Sequence, residues 1–196
     1  MKRMVSLMLA LTLALSLCIT ANAEVYTHPE AGYGFTVPER WMALDGQVTN
    51  NLLDLGVSFL DVPDEVLAML DQVKDMPMAL VLSPDFQHNI VVTMEDVGME
   101  ISPAFLLGLG GMLEAQYQSI FPGYVITAPM SLVDFGDWKG AMLDGEYEMG
   151  DLSFTMRQVF IPSGSYLFGF QLTASAETVA EYAPFLADLV ASFFVP

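Results

Sequence analysis

Basic residues and cysteine are scarce in this sequence. Its 196 residues include six lysines and arginines, two histidines and one cysteine, against 24 aspartates and glutamates. The formal charge at pH 7 is therefore −18. Long-range repulsion then disfavours binding to nucleic acid and to anionic lipid surfaces. The charge favours solubility of a chain that is 54% hydrophobic, and recruitment of cations or of a basic partner is the alternative.

Residues 1–23 have the pattern of a secretory signal peptide. The basic pair Lys2-Arg3 precedes an uncharged apolar run over 5–20, and Ala21-Asn22-Ala23 is a small-x-small cleavage sequence. The run is shorter than the ~20 apolar residues that span a bilayer comfortably, which argues against an uncleaved anchor. We predict cleavage after Ala23 and one domain over 24–196. Four basic and 24 acidic residues then remain, a formal charge of −20.

The single cysteine, Cys18, lies inside this peptide. A lipoprotein cysteine normally follows a small residue, whereas Leu17 precedes this one, so lipidation of Cys18 is the less favoured alternative. Cleavage after Ala23 removes the only thiol and with it any disulfide or thiolate metal ligand. The apolar core must then hold the fold unaided. We predict a protein that is secreted or associated with the cell envelope, with no transmembrane segment after cleavage.

The C-terminal half of the sequence predicts an antiparallel meander. Aromatic and β-branched residues alternate in short runs separated by glycine-containing turns, and an amphipathic helix follows from near Ser175. Pro184 predicts a kink or a split in that helix. The predicted strands are one starting at Tyr124, then Trp138–Tyr147, Leu152–Ile161 and Tyr166–Thr173.

The N-terminal half predicts shorter strands and two further helices. Ser102 before Pro103 is typical of an N-cap, and we expect a helix from there to about Ser119. Its predicted buried residues are Phe105, Leu109, Met112 and Tyr117. The predicted strands are Val25–Thr27, Tyr33–Val37, Met78–Leu82 and Asn89–Glu95, and the other helix starts at Asp61–Glu65, where acids suit the helix dipole.

No catalytic motif is present in the sequence. His28 and His88, the only histidines, lie beside turn signals, where we expect solvated side chains, and no serine lies in a Gly-x-Ser-x-Gly elbow. The glycines around Gly108–Gly111 follow no strand of a βαβ unit, so a dinucleotide fingerprint is excluded. The sequence also lacks a phosphate-binding loop, a His-Glu-x-x-His motif and a cysteine pair. We predict a non-enzyme with no catalytic residues.

One group of carboxylates is a candidate metal site, namely Asp144, Glu146, Glu148 and Asp151. The first three share one face if they lie in a strand. An EF-hand loop counted from Asp144 would need glycine and glutamate where Met149 and Thr155 stand, so that motif is excluded. A looser Ca²⁺ site is the alternative to a hydrated acidic face, and no other cofactor is predicted. Arg157 is expected diagonally across from Asp144, where it would partly neutralise the carboxylate.

Three segments carry a resemblance to a known superfamily. Tyr33–Trp41 reads as "gly-phe-x-x-pro-x-x-trp", Asn89–Val92 as a central strand before a long helix, and Tyr182–Phe194 as a terminal helix with a Ser-Phe close. Together they resemble the Mog1/PsbP-like superfamily. The resemblance implies an α+β fold, a curved antiparallel sheet with helices on both faces. It also implies a function as a binding or assembly factor, without a set of catalytic residues common to the superfamily.

The prediction for function is an exported, non-enzymatic binding or assembly-factor domain with a protein or small-molecule partner. Its groove is expected where helices leave the sheet uncovered, near Trp41 and Trp138. A divalent-cation module that uses the carboxylates of 144–151 is the first alternative. A hydrolase of unknown type is the second.

Overall fold

The computed structural model describes residues 24–46, 77–85, 87–121, 123–149 and 152–196. The predicted signal peptide, the helix predicted to start at Asp61–Glu65, and Asp151 lie outside the described residues. Across the described ranges the strands are β1 (Glu24–Thr27), β2 (Gly34–Val37), β3 (Met42–Asp45), β4 (Met78–Leu82), β5 (Asn89–Asp96), β6 (Val125–Phe135), β7 (Trp138–Met149), β8 (Leu152–Ser163) and β9 (Tyr166–Ser175). The helices are α1 (Pro103–Leu106), a 3₁₀ turn at Leu107–Leu109, α2 (Gly110–Ile120) and α3 (Val179–Ala191). None of these helices is long and apolar enough to cross a membrane.

Seven strands form one antiparallel sheet in the order β3-β4-β5-β9-β8-β7-β6, and β1 and β2 form a separate hairpin. The predicted meander is confirmed, because β6, β7, β8 and β9 are neighbours in chain order. β7, β8 and β9 each extend two residues beyond the predicted end, and β6 begins at Val125, one residue after the predicted start. The chain places β9 at the centre of the sheet, between β5 and β8.

The alternation in β9 fixes what each face of the sheet contacts. Phe168, Phe170 and Leu172 are fully buried on one face. They pack in the main core with Leu189 of α3 and with Phe35 of the hairpin. The intervening residues point to the opposite face, since successive side chains of a strand alternate. One layer of the fold is thus α3 together with the β1–β2 hairpin.

The opposite face is covered by α1 and α2. Leu106 of α1 is buried with Ile101 and with Ala141 of β7. Further along the sheet, Tyr124 and Tyr147 form a smaller aromatic cluster that contacts α2. Helices therefore lie on both faces of a single antiparallel sheet, which confirms the predicted α+β architecture.

The prediction of one continuous helix from Ser102 to about Ser119 is wrong. Ser102 caps it as predicted, with Oγ accepting a hydrogen bond from the backbone N–H of Phe105 at 3.3 Å. The chain then tightens into a 3₁₀ turn before α2 begins at Gly110. Phe105 and Met112, predicted to be buried, are exposed instead. The sequence places apolar residues on nearly every side of this segment, so periodicity did not identify the inner face.

The C-terminal helix forms one continuous element despite Pro184. It begins at Val179 rather than near Ser175, so Glu181 and not Glu177 lies in its first turn. Pro184 follows the first turn closely, where only one intrahelical hydrogen bond is lost. The predicted split is therefore wrong, and the alternative, a kink at Pro184, stays a prediction.

Substitution of Gly140 should destabilise the fold. A Cβ at this position in β7 would overlap the backbone carbonyl oxygen of Phe160 and lie 2.7 Å from Cδ1 of Ile161. We expect Gly140→Ala to lower the free energy of unfolding by about 1–3 kcal/mol, the usual cost of overpacking. Gly108→Ala is the matched control, because nothing lies within 4 Å of its Cβ, and it should stabilise by about 0.4–1 kcal/mol. Urea unfolding measures both, and equal midpoints would contradict the clash.

Candidate functional site

Large apolar side chains are exposed along the segment that runs from the end of β5 into α2. We call this set, with one residue of β6, the α1 patch. Each member exposes between 42% and 70% of its surface: Met99, Phe105, Leu107, Met112 and Leu132. Isolated exposed hydrophobic residues are ordinary on soluble proteins, whereas a group of them in one segment makes that segment a candidate interaction surface.

The burial of Leu106 explains why its two neighbours in the chain are exposed. Leu106 is 1% exposed and packs under α1 against the sheet. Successive helical residues point about 100° apart, so the neighbours Phe105 and Leu107 are directed away from the sheet. The Ser102 cap and the packing of Leu106 therefore present two apolar side chains to solvent.

A groove adjoins the α1 patch at the turn between β6 and β7. It has a volume of about 230 Å³ and is lined by Pro103, Leu132, Val133, Asp134, Lys139 and Gly140. Pro103 opens α1, and Leu132 lies opposite Ala141 in the β6–β7 ladder. Since Ala141 packs with Leu106, the groove and the patch share one supporting cluster.

β6 is an edge of the large sheet, since within the described ranges it pairs only with β7. The register shifts between Ile126 and Ala128, and again between Ala128 and Ser131, around Pro129. From Ser131 to Phe135 the pairing is regular. The groove lies beside this regular half of the edge.

The two tryptophans predicted to line a groove lie in or against the main core. Trp41 is 8% exposed and packs against Tyr182 and Phe185, with ring centroids 5.8 and 5.4 Å apart. The Nε1 of Trp138 donates a hydrogen bond to the carbonyl oxygen of Phe193 at 2.7 Å. Both indoles therefore anchor α3 and the chain after it to the sheet. A ligand groove at these two residues stays a prediction.

The strand acids lie as predicted on one face, and Arg157 lies directly opposite Asp144 rather than diagonally. Its Nε and Nη2 donate to the two carboxylate oxygens of Asp144 at 2.9 and 2.6 Å. That hydrogen bonding raises the pKa of Arg157. Glu146 is half-buried and Glu148 is exposed. In the described part of the chain no three acids or histidines converge on one point, and Ca²⁺ binding stays a prediction.

The expectation of solvated histidines is wrong. His28 is 5% and His88 is 4% exposed. His28 Nδ1 accepts hydrogen bonds from the backbone N–H groups of Glu30 and Ala31, so it shapes the turn into β2. The ring of His88 stacks on Tyr182 of α3 at 3.9 Å. Long-range contacts, invisible in the local sequence, bury both rings.

Ser83 and Asp85 lie near His88 but do not form a triad. Ser83 Oγ donates to Asp85 Oδ1 at 2.6 Å and accepts from the backbone N–H of His88 at 3.0 Å. A nucleophilic serine needs its hydroxyl bonded to the imidazole. Here the imidazole faces Tyr182 instead, so these residues form a capped turn.

Sequence reasoning missed a buried polar cluster under α2. Gln158 of β8 is 3% exposed, and its Nε2 donates to Tyr117 Oη and, at 3.0 Å, to Gln171 Oε1 of β9. Burial raises the pKa of Tyr117, which keeps the phenol neutral. The cluster ties α2 to the centre of the sheet. Glutamines in a strand usually indicate a solvent-facing side, which is why the pattern gave no signal.

No known family description matches the sequence, and no curated protein is similar to it at a significant level. Solved structures do match. PsbP (CyanoP) from Synechocystis sp. PCC 6803 has a TM-score of 0.61 at 13% identity, over 90% of this chain and 94% of that one. The chain has the Mog1/PsbP-like fold.

Two more structures share this Mog1/PsbP-like fold. LpqN from Mycobacterium tuberculosis, described as involved in cell envelope biogenesis, matches with a TM-score of 0.50 and 16% identity, over 89% of this chain and 91% of that one. A crystal structure from Bacteroides thetaiotaomicron matches with a TM-score of 0.51 and 14% identity, over 90% of this chain and 49% of that one. The resemblance read from the sequence is thereby confirmed at the level of fold.

The buried turn at His28 predicts a pH-dependent stability. Burial lowers the pKa of His28 below its ordinary value, and the carboxylates of Glu30 and Asp45 offset only part of that shift. The unfolded chain therefore takes up a proton first, and stability should fall as pH drops below about 6.5, the ordinary histidine pKa. His28→Asn can still accept the turn hydrogen bonds through its amide oxygen. Urea unfolding between pH 7.5 and 5 should show a smaller loss for this variant, and an equal loss would contradict the assignment.

Proposed function

We propose that this chain is an exported, non-enzymatic domain that binds a protein partner through the α1 patch. The observation that carries the proposal is the exposure of Phe105 and Leu107 on either side of Leu106, which is 1% exposed. The buried Leu106 anchors α1 to the sheet, which lowers the entropy cost of presenting the two exposed side chains to a partner.

The side chains that usually carry catalysis have structural roles in the described residues. His28 accepts turn hydrogen bonds, the ring of His88 packs against Tyr182, and Asp144 is ion-paired with Arg157. A binding function leaves all three contacts in place.

Three features support a role outside the cytoplasm. The start of the sequence has the order of a signal peptide, namely a basic pair, an apolar run and an Ala-x-Ala site. The loss of its only thiol on cleavage suits an oxidising compartment. Among the proteins of similar fold, LpqN is described as involved in cell envelope biogenesis.

Export is tested by the N-terminus of the protein recovered from its native host. We expect the purified protein to begin at Glu24, because Ala21 and Ala23 occupy the positions that signal peptidase reads. Ala23→Asp should leave the longer precursor in the cell. Recovery of the protein in the cytoplasm with Met1 or residue 2 at its N-terminus would contradict export.

Partner binding is tested by a photoreactive phenylalanine analogue placed at Phe105 in the native host. The matched control is the same analogue at Val25, which is 59% exposed but lies on the separate hairpin. We expect a discrete crosslinked protein from position 105 and none from position 25.

A second variant measures the contribution of the patch. Leu107→Ser should lower the affinity for the captured partner by about tenfold. That is the usual effect of losing an interface residue worth more than 1 kcal/mol. Folding stability should change by only about 0.5 kcal/mol, because the side chain is exposed. Equal crosslinking from both positions, or capture that is insensitive to Leu107→Ser, would contradict the proposal.

A further inference from the structure

The regular half of the β6 edge lies beside the groove and the α1 patch. We propose that Ser131–Phe135 accepts an extended, lysine- or arginine-rich segment of the partner as an added antiparallel or parallel strand. The inference rests on the proposed function and names the chemistry of the partner.

Among the residues that the structure describes, the backbone of this segment pairs with β7 alone. In a strand at the edge of a sheet, alternate N–H and C=O groups point away from the paired neighbour. From Ser131 to Phe135 every residue has a regular partner in β7, so the outward groups are evenly spaced. Leu132 is 54% exposed, so its side chain can contact the side chains of an added strand on that face of the sheet.

The rest of this edge carries the features that block strand addition, and this half does not. Pro129 lacks a donor, and register shifts on both sides of Ala128 distort the first half of β6. Ser131–Phe135 contains no proline and no shift. Its single charge, Asp134, lies opposite Lys139 in the ladder. The opposite edge strand, β3, is only four residues long.

The groove supplies side-chain recognition next to that backbone. An added strand would direct every second side chain toward the face that carries Pro103 and Leu132. A volume of about 230 Å³ accommodates an aliphatic side chain of the incoming segment. Strand addition in general draws affinity from main-chain hydrogen bonds and specificity from such alternate pockets.

The negative charge at this end of the edge favours a basic segment as the occupant. Asp134 and Asp137 are exposed at this end of the edge, against the single cation Lys139. The whole chain has a formal charge of −18, so an acidic segment is repelled and a basic one is attracted. The same repulsion opposes pairing of this edge with a second copy of the chain.

The probe is a capped eleven-residue peptide of alternating lysine and valine, titrated into the purified protein. We expect the outward amides within Ser131–Phe135 to exchange with solvent about tenfold more slowly when free peptide is ten times its dissociation constant. The matched control peptide has the same charge but is N-methylated at every residue, which removes the main-chain donors on both edges. It should not protect these amides, whereas simple charge attraction would act equally on both peptides.

Two proline substitutions, made in the protein rather than in the peptide, test the same backbone contact. N–H direction alternates along a strand, so one of Ser131→Pro and Leu132→Pro removes an outward donor and the other breaks the β6–β7 ladder. The variant that keeps the thermal midpoint is the informative one, and it should lose peptide binding at least tenfold. Thr127→Pro, placed in the irregular half, should leave binding unchanged.

Any of three results would reject strand addition: protection that maps outside Ser131–Phe135, equal effects of the two peptides, or no saturable binding at millimolar peptide. Protection that grows with protein concentration alone would identify a second copy as the occupant and reject the basic partner. A partner crosslinked at Phe105 that persists in the stable proline variant would reject strand addition while leaving the proposed function in place.

Discussion

The burial of alternate β9 side chains is the constraint on which the rest of the structure depends. Phe168, Phe170 and Leu172 fill the space between the sheet and α3, and Phe193 closes it with ring contacts at 4.8 and 5.1 Å to the two phenylalanines. Because the period of a strand is two, this choice also sends Gln171 to the other face. The buried amide cluster and the placement of α2 therefore follow from the same register.

This constraint was also the part of the fold most legible in the sequence. The alternation in β9 has a single interpretation, since aromatic residues and small or polar residues take strict turns. The segment from Met99 to Met112 has no such contrast, because apolar residues fall on every side and glycines weaken the helix. Its inner face is chosen by the contact of Leu106 with the sheet. That choice decides which apolar residues remain exposed, so the site was the part that sequence alone could not place.

The histidines show the same division between local and long-range information. His28 and His88 stand among turn residues, and a local reading assigns such residues to the surface. Tertiary contacts override it, since α3 lays Tyr182 over His88 and the β1–β2 turn folds around His28. The tryptophans follow the same logic, for Trp138 bonds the carbonyl of Phe193 near the end of the chain. Contacts between distant segments thus bury the histidines and tryptophans that, from the sequence, were candidates for a functional site.

An open edge and exposed apolar side chains are ordinarily liabilities, because they promote association between copies. Negative charge offsets that liability in this chain: 24 acids face six basic residues, and two like-charged copies repel before their edges meet. The repulsion does not act on a cationic segment. In the proposed strand addition, the acidity that opposes association between copies also favours a basic partner, so both effects arise from one property of the sequence. A neutral protein with the same edge would need prolines or bulges along its whole length, whereas β6 carries them in one half only.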